Sequence, residues 1–123
     1  MDKKPILLIV DDNADLLEMY QEILQVDGVT TLAASSGAEA LSICENNPNI
    51  QVIISDNNMG EMSGLQLLEK IKASYKPMPT FYLLTGAFDI SEEKLKSMGG
   101  RALILKPFDL EAVLEIIKLD FKL

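Results

Sequence analysis

QVIISDNNMG, residues 51–60, is the stretch around which this chain is organised. Its apolar run at residues 52–54 consists of β-branched residues bounded by polar ones, which predicts a central strand of a parallel sheet covered on both faces. The strand stops at Asp56, where a loop begins. Ligand sites in open α/β sheets lie just outside the carboxyl ends of such strands. We therefore expect Asp56 to lie at a functional edge.

The rest of the chain repeats the same alternation of a short apolar strand with a helix. Four more strands are expected, at residues 5–10, 29–34, 79–84 and 102–105. The third helix is expected at about residues 65–74, and the fourth runs through about residue 98. The connections are too short for anything but right-handed crossovers between parallel strands. The sequence thus predicts a doubly wound α/β domain.

Local signals place the ends of several helices. The first helix is predicted from apolar residues at helical spacing and is expected to end at Gly28; the apolar positions are Leu16, Met19, Tyr20, Ile23 and Leu24. Ser36 and Glu39 match a capping box that opens the second helix. Either Asp89 or Ser91 can cap the fourth. Asp109 is expected to cap the last, whose core-facing residues are Leu110, Val113, Leu114, Ile117 and Phe121.

Length and composition limit the class of protein. A chain of 123 residues that is 48% hydrophobic predicts a single globular domain over residues 1–123, without an attached output domain. No segment approaches the roughly 20 apolar residues that span a membrane, and the N-terminus does not resemble a secretory signal. We therefore expect a cytoplasmic protein. The net charge of −8 does not favour nucleic-acid binding.

Histidine and cysteine usage removes several kinds of chemistry. The chain has no histidine, so histidine catalysis and histidine metal ligands are excluded, and any phosphohistidine must belong to a partner. The single cysteine, Cys44, excludes an internal disulfide and agrees with a reducing compartment. Cys44 shares a helix face with Ala40 and Leu41, which predicts a buried core residue instead of a reactive thiol.

Polar residues follow four of the five predicted strands: Asp11 with Asp12, then Asp56, Thr85 and Lys106. Parallel strands bring these ends to one edge of the sheet. Three carboxylates at one place repel each other unless a cation lies among them or one is protonated. Oxygen ligands without histidine or cysteine favour Mg²⁺ over zinc, and Mg²⁺ leaves a coordination position for a phosphoryl oxygen.

These side chains suit a phosphoryl-transfer site. Asp56, at the centre, is placed to attack phosphorus and become an aspartyl phosphate, while Lys106 and the Thr85 hydroxyl can bind phosphoryl oxygens. Taken singly, each residue has a structural explanation. Asp12 could cap the first helix, Thr85 could be a turn hydroxyl, and Lys106 could be a surface lysine. Their combination favours the site.

Four motifs carry a resemblance over essentially the full chain: IVDDN (9–13), SDNNMGEMSG (55–64), LLTG (83–86) and LKPF (105–108). The chain resembles a response-regulator receiver domain of two-component signalling, similar to the chemotaxis receivers. The resemblance implies a flavodoxin-like sheet in the order 2-1-3-4-5. It also implies transfer of a phosphoryl group from the phosphohistidine of a sensor kinase, or from a phosphotransfer protein, to Asp56.

The same resemblance implies roles for the other residues. Mg²⁺ would be bound by Asp12 directly, by Asp11 through water, by Asp56 and by the main-chain carbonyl of Asn58. Thr85 would move toward the phosphoryl group and Lys106 would pair with it, with a cis bond from Lys106 to Pro107. A downstream protein or a second copy would meet the face made by the fourth helix, fifth strand and fifth helix. Such a domain signals through protein contacts and is not a turnover enzyme.

Three positions depart from the family pattern. Gly60 stands where proline is usual, Gly86 where alanine is usual, and Leu103 where an aromatic switch residue is common. Two other functions therefore stay open. One is a degenerate receiver that acts as a phosphorylation-independent docking scaffold. The other is an aspartate-nucleophile phosphatase of the haloacid dehalogenase kind, although the second acid that such an enzyme needs two residues after its nucleophile is absent, since that residue is Asn58.

Overall fold

A computed structural model of the protein describes residues 4–86, 90–106 and 109–121. Within those residues, five strands alternate with five helices. The strands are Ile6–Val10 (β1), Thr30–Ala34 (β2), Ile50–Asp56 (β3), Thr80–Thr85 (β4) and Ala102–Leu105 (β5). The helices are Ala14–Ile23 (α1), Gly37–Asn46 (α2), Gly64–Ser74 (α3), Glu92–Ser97 (α4) and Leu110–Lys118 (α5).

The strands form one parallel sheet in the order β2-β1-β3-β4-β5. This is the flavodoxin-like order that the resemblance implied, and the doubly wound α/β prediction is confirmed. Because β1 and β3 lie inside the sheet and are covered on both faces, both are almost wholly buried; β1 is apolar throughout and β3 is apolar at its centre, residues 52–54. The two edges of the sheet are β2 and β5.

Helices cover both faces of the sheet, and alternate strand residues point to opposite sides. One apolar core joins the sheet to α1 and α5; its strand residues include Leu7, Ile9, Val52, Ile54, Tyr82 and Leu84. The other joins it to α2, α3 and α4; its strand residues include Leu8, Val10, Ile53, Phe81 and Leu83. Cys44 belongs to the second core and is buried, as predicted.

The first helix differs from its prediction. It ends at Ile23, well before Gly28, and it buries Leu17 and Tyr20. Met19 and Ile23, which were expected to face the core, are 40% and 37% exposed. The reason for the early end is Val26, which is buried in the same core as Leu24. Two residues along a helix are about 200° apart, so the chain must leave the helix to bury both.

The capping box predicted at Ser36 is only half formed. The Ser36 hydroxyl accepts a hydrogen bond from the Glu39 N–H at 3.0 Å, but the Glu39 carboxylate accepts from the N–H of Ser35, at 2.9 Å. A complete capping box opens α3 instead. There the Ser63 hydroxyl accepts from the Gln66 N–H, and the Gln66 side chain accepts from the Ser63 N–H.

The caps of α4 and α5 are the expected ones. Ser91 accepts from the Lys94 N–H at 3.0 Å, and Asp109 accepts from the Glu111 N–H, also at 3.0 Å. Asp89, the other candidate for α4, lies outside the described residues, as does Pro107, on which the cis-peptide prediction depends. Phe121 is buried as predicted, but it follows the end of α5.

Candidate functional site

The carboxyl ends of β1, β3, β4 and β5 form one edge, which carries the candidate residues. Asp56 is the last residue of β3 and Thr85 the last of β4. The Lys106 ammonium lies 2.6 Å from Oδ1 of Asp56, and the Lys106 N–H donates to the Thr85 carbonyl at 2.9 Å. Neighbouring parallel strands thus bring together residues that are far apart in the chain. Their chemical roles stay predictions.

Three carboxylates lie together at this edge. Asp11, Asp12 and Asp56 each offer one oxygen, and these oxygens lie within 4.8 Å of one another. Asp11 and Asp56 are buried, and Asp12 is exposed. The cluster therefore opens to solvent on one side, through Asp12.

The hydrogen bonds of Asp11 test whether a cation fits the cluster. Its Oδ1 accepts from the Asn13 N–H at 2.8 Å. Its Oδ2 is buried and has no hydrogen-bond partner among residues 4–86, 90–106 and 109–121. A buried carboxylate oxygen without a donor, beside two further carboxylates, suits a hard divalent cation that takes oxygen ligands. Asn58 is exposed, two residues beyond Asp56; its carbonyl as a ligand stays a prediction.

Burial and the negative charge of the cluster together raise the pKa values of Asp11 and Tyr20. Burial raises the pKa of Asp11, the Asn13 N–H lowers it, and the Asp56 carboxylate raises it again. Burial also raises the pKa of Tyr20 on α1 to about 12, and the charges of Asp11 and Asp56 add to that rise. The Lys106 ammonium lowers the pKa of Asp11 but does not cancel the effect of burial. A further cation would relieve the remaining repulsion.

Asn57 fixes the start of the loop after β3 through its hydrogen bonds. This role was not predicted from the sequence. Its N–H donates to the Leu84 carbonyl at 2.9 Å, and its own carbonyl accepts from the Gly64 N–H at 3.0 Å. Its side-chain oxygen accepts from the Leu65 N–H at 3.2 Å. The signal was present, because asparagine side chains often bind nearby backbone N–H groups at turns and helix starts.

Gly64 closes the same loop and tolerates no side chain. A Cβ there would lie 2.6 Å from the Asp56 carbonyl oxygen and 2.5 Å from Cδ1 of Leu83. Such an approach is open only to glycine. The loop from Asp56 to Gly64 is therefore closed at its base by backbone contacts.

Asn13 is the cap of α1, and Asp12 is not. The Asn13 side-chain oxygen accepts from the Leu16 N–H at 3.1 Å. The alternative in which Asp12 caps the first helix is therefore wrong. The exposed carboxylate of Asp12 instead belongs to the acid cluster.

The structure shows the backbone conformation or the contacts at each of the three positions that depart from the family pattern. Gly60 has φ +75°, a backbone conformation closed to proline. The nearest atom that a Cβ at Gly86 would meet among the described residues is Cβ of Lys106, at 4.0 Å, so none of the described side chains crowds this position. Leu103 is half-buried and packs on the α2–α3–α4 core, while its N–H donates to the Glu92 carboxylate at 3.2 Å.

The family model of the response regulator receiver domain matches residues 7–118, which include every acid of the cluster, Thr85 and Lys106. The chain belongs to this family. It is therefore a receiver domain of two-component signalling.

Relatives and solved structures agree with that assignment. The receiver is 32% identical to the transcriptional regulatory protein GlrR of Escherichia coli over 95% of its own length, which is 26% of GlrR. It thus spans about a quarter of that regulator. It is 28% identical to the polar-differentiation response regulator DivK of Brucella ovis over 91% of the chain and 92% of DivK.

Two structures have 29% sequence identity to the chain and cover 97% of it. The chemotaxis response regulator CheY4 of Vibrio cholerae is matched over its full length with a TM-score of 0.80. A response regulator receiver protein of Pseudomonas putida is matched over 99% of its length with a TM-score of 0.85.

None of the helices in the described part of the receiver is long and apolar enough to cross a membrane.

Proposed function

We propose that this receiver accepts a phosphoryl group on Asp56 in a reaction that needs Mg²⁺. The donor is the phosphohistidine of a sensor kinase or a phosphotransfer protein, and the result is a change in protein contacts. One observation carries the proposal: Asp56 is paired with Lys106 at 2.6 Å and shares an edge with two more acids. The proposal is supported because this edge provides a carboxylate for attack on phosphorus, a cation and further carboxylate oxygens that suit a metal.

In this proposal, the two oxygens of Asp56 have different tasks. Lys106 holds Oδ1, which orients the carboxylate and leaves Oδ2 to attack phosphorus. The P–O bond to Asp56 forms as the P–N bond to the donor imidazole breaks, and the electron pair of that bond returns to the imidazole nitrogen. Bound Mg²⁺, held by Asp11, Asp12, Asp56 and the Asn58 carbonyl, would neutralise phosphoryl charge. Lys106 then pairs with the transferred group, and the Thr85 hydroxyl donates to it.

The partner surface in this proposal is the face made by α4, β5 and α5. Leu105 of β5 and Ile116 of α5 are each 46% exposed, and Leu119 is 86% exposed. These apolar side chains support docking of a downstream protein or a second copy, without nucleic-acid or membrane contact. The single cysteine, which agrees with a reducing compartment, supports a cytoplasmic location. The domain would act as a signalling module and not as a turnover enzyme.

The test is phosphorylation by acetyl phosphate with Mg²⁺, followed by intact-mass spectrometry and peptide mapping. Wild-type protein and the control Asp15→Asn, an exposed aspartate in the first turn of α1, should each gain one phosphoryl group. Asp56→Asn and Asp56→Ala should gain none. The label should be stable in acid and labile in alkali, as for an acyl phosphate. A label that persists in Asp56→Ala would refute the proposal.

The docking scaffold is the second candidate, and Leu103 favours it because an aliphatic side chain cannot supply a ring switch. Beryllofluoride, a phosphoryl analogue, separates the two functions in an NMR titration. A phosphorylation switch should shift amide resonances of α4, β5 and α5 as well as those around Asp11, Asp12 and Asp56 at the carboxyl ends of the strands, here called the acid edge. A scaffold should show shifts at the acid edge alone, and its Asp56→Ala variant should bind the partner as tightly as the wild-type protein does.

A further inference from the structure

Ser55 is a fully buried polar residue to which the proposed function gives no role. It precedes Asp56 in β3 and lies on the same side of the sheet as Ile53, in the core formed with α2, α3 and α4. A hydroxyl in an apolar core is unfavourable unless it forms a hydrogen bond. The bond that this hydroxyl forms therefore matters to the end of β3.

The Ser55 hydroxyl has two acceptors within reach. It donates to the Asp56 carbonyl at 2.9 Å, and the sulfur of the buried Met59 lies 3.8 Å away. A hydroxyl carries one hydrogen, and a thioether sulfur is a weaker acceptor than a peptide carbonyl. The bond to the Asp56 carbonyl is therefore the main one, and Met59 packs beside it.

That carbonyl belongs to the peptide unit that joins Asp56 to Asn57, and this unit is held at both ends. Its C=O accepts from Ser55, and its N–H donates to the Leu84 carbonyl on β4 at 2.9 Å. The same carbonyl oxygen lies so close to Gly64, the first residue of α3, that a Cβ there would be 2.6 Å from it. Because a peptide unit is planar and rigid, these contacts fix its orientation.

The orientation of this peptide bears on the Asp56 side chain. On the amino side of its Cα, Asp56 is still part of β3 and is paired with Leu84. The backbone is thus held on both sides of the Cα, which sets the direction of the Cα–Cβ bond, while Lys106 holds the far end of the side chain at Oδ1. This matters because a misplacement of about 1 Å at a reacting atom can lower a rate about a hundredfold.

We infer that Ser55 is a positioning residue: its hydroxyl holds the peptide between Asp56 and Asn57 and thereby aims the Asp56 carboxylate for attack on phosphorus. The inference rests on the proposed function, since that function assigns the attack to Asp56. Ser55 acts through the backbone and not through contact with the phosphoryl group. Loss of the hydroxyl should therefore lower the maximal rate of transfer and leave the half-saturating concentration of donor nearly unchanged.

The experiment compares threonine with valine at position 55, because both are β-branched and similar in shape while only threonine has a hydroxyl. Labelling by acetyl phosphate with saturating Mg²⁺ is followed by intact-mass spectrometry. The maximal rate should be about tenfold lower in Ser55→Val than in Ser55→Thr, at a similar half-saturating concentration of acetyl phosphate. Ser55→Ala adds no atoms and should label about tenfold more slowly than wild type, so it keeps the inference testable if the larger residues do not fold.

Thr31→Val is the matched control. The Thr31 hydroxyl also projects from a strand, β2, and donates to a backbone carbonyl, that of Leu24, at 3.5 Å. Its removal should lower thermal stability but leave the labelling rate of Asp56 at the wild-type value. The inference is overturned if Ser55→Val labels as fast as Ser55→Thr, or if Thr31→Val slows labelling as much as Ser55→Ala does.

Hydrogen exchange of the Asn57 amide separates this inference from the proposed function, because it needs no phosphoryl transfer. The amide should exchange about fivefold faster in Ser55→Val than in Ser55→Thr if the hydroxyl holds the peptide. Wild-type protein that takes no phosphoryl group on Asp56 overturns the proposed function, and the faster exchange then still supports Ser55 as the residue that holds this peptide. Labelling of the wild type with equal Asn57 exchange in the two variants overturns the role of Ser55 alone.

Discussion

The ammonium nitrogen of Lys106 lies 2.6 Å from Oδ1 of Asp56, although 50 residues separate the two in the chain. Lys106 follows the edge strand β5, and Asp56 ends the central strand β3, so β4 lies between them. The lysine side chain therefore reaches across the end of one strand. Asp56 is almost wholly buried, and Lys106 is about one-third exposed at the side chain. In the proposed function, this pair connects the phosphoryl acceptor Asp56 to the strand β5 of the partner face.

Replacing Lys106 by methionine should strengthen Mg²⁺ binding and weaken phosphorylation. Removing a positive charge beside the three carboxylates makes the site more negative, which should raise Mg²⁺ affinity by about five- to tenfold. The phosphoryl group loses its ammonium partner, so labelling by acetyl phosphate should fall. Titration calorimetry and mass spectrometry measure the two effects. Lys106→Arg is the control for charge, and weaker Mg²⁺ binding in Lys106→Met would contradict the prediction.

Asp11→Asn should stabilise the metal-free protein. The charged form of Asp11 is disfavoured first by burial and then by Asp56, and its Oδ2 has no donor among the described groups. An asparagine keeps the acceptor for the Asn13 N–H and places an NH₂ group where it can donate to a carboxylate. The free energy of unfolding without Mg²⁺ should rise by about 1–2 kcal/mol.

The same substitution should remove most of the stabilisation that Mg²⁺ confers on the wild-type protein, because a ligand is lost. Urea denaturation with and without Mg²⁺ measures both changes. Asp15→Asn is the control, since it neutralises an exposed aspartate outside the cluster and should leave the Mg²⁺ effect unchanged. A less stable Asp11→Asn protein without Mg²⁺ would show that the cluster is not under repulsion.

Glu92 should protect the amide of Leu103 from hydrogen exchange. The Leu103 N–H lies on the edge strand β5 and donates to the Glu92 carboxylate at the start of α4, and that hydrogen bond is the main cause of a lowered pKa for Glu92. Glu92→Ala should speed exchange of this amide severalfold, and Glu92→Gln less, because an amide oxygen still accepts. Glu93→Gln, one residue along, is the control and should not change it.

Cys44 should be unreactive in the folded protein. Burial raises the pKa of its thiol from 9.0 to about 11, and the side chain belongs to the core beneath α2. Alkylation by iodoacetamide at neutral pH should be about a hundredfold slower than in denaturing urea. Fast labelling of the native protein would contradict the core assignment.

The raised pKa of Cys44 also predicts a pH dependence. Above pH 9 the unfolded thiol loses its proton while the folded one keeps it, so the free energy of unfolding should fall as the pH rises from 9 to about 11. Lysine and tyrosine residues titrate in the same range. Cys44→Ala is therefore the reference, and the difference in slope between the two proteins isolates the thiol.

Strand positions were predictable because a buried strand needs a short run of apolar residues, which is visible in the local sequence. Residues 52–54 are apolar and β-branched, and they lie in β3 as expected. The end of α1 was not predictable in the same way, since Gly28 looked like its stop while the need to bury Val26 ended the helix at Ile23. Similarly, Glu39 bonds the backbone of Ser35 and not that of Ser36 because loop geometry decides which N–H is within reach.

The sequence alone determined the strand–helix alternation, the family and the convergence of Asp11, Asp56 and Lys106 at one edge. These follow from local periodicity and from the rule that parallel strands end on the same side. The tertiary structure decided the features that depend on contacts between distant segments. It placed the Lys106 ammonium on Oδ1 of Asp56, left Oδ2 of Asp11 without a donor in the described part of the chain and gave Gly60 its left-handed turn. Distances and backbone angles at a strand edge arise from packing, which no single stretch of sequence encodes.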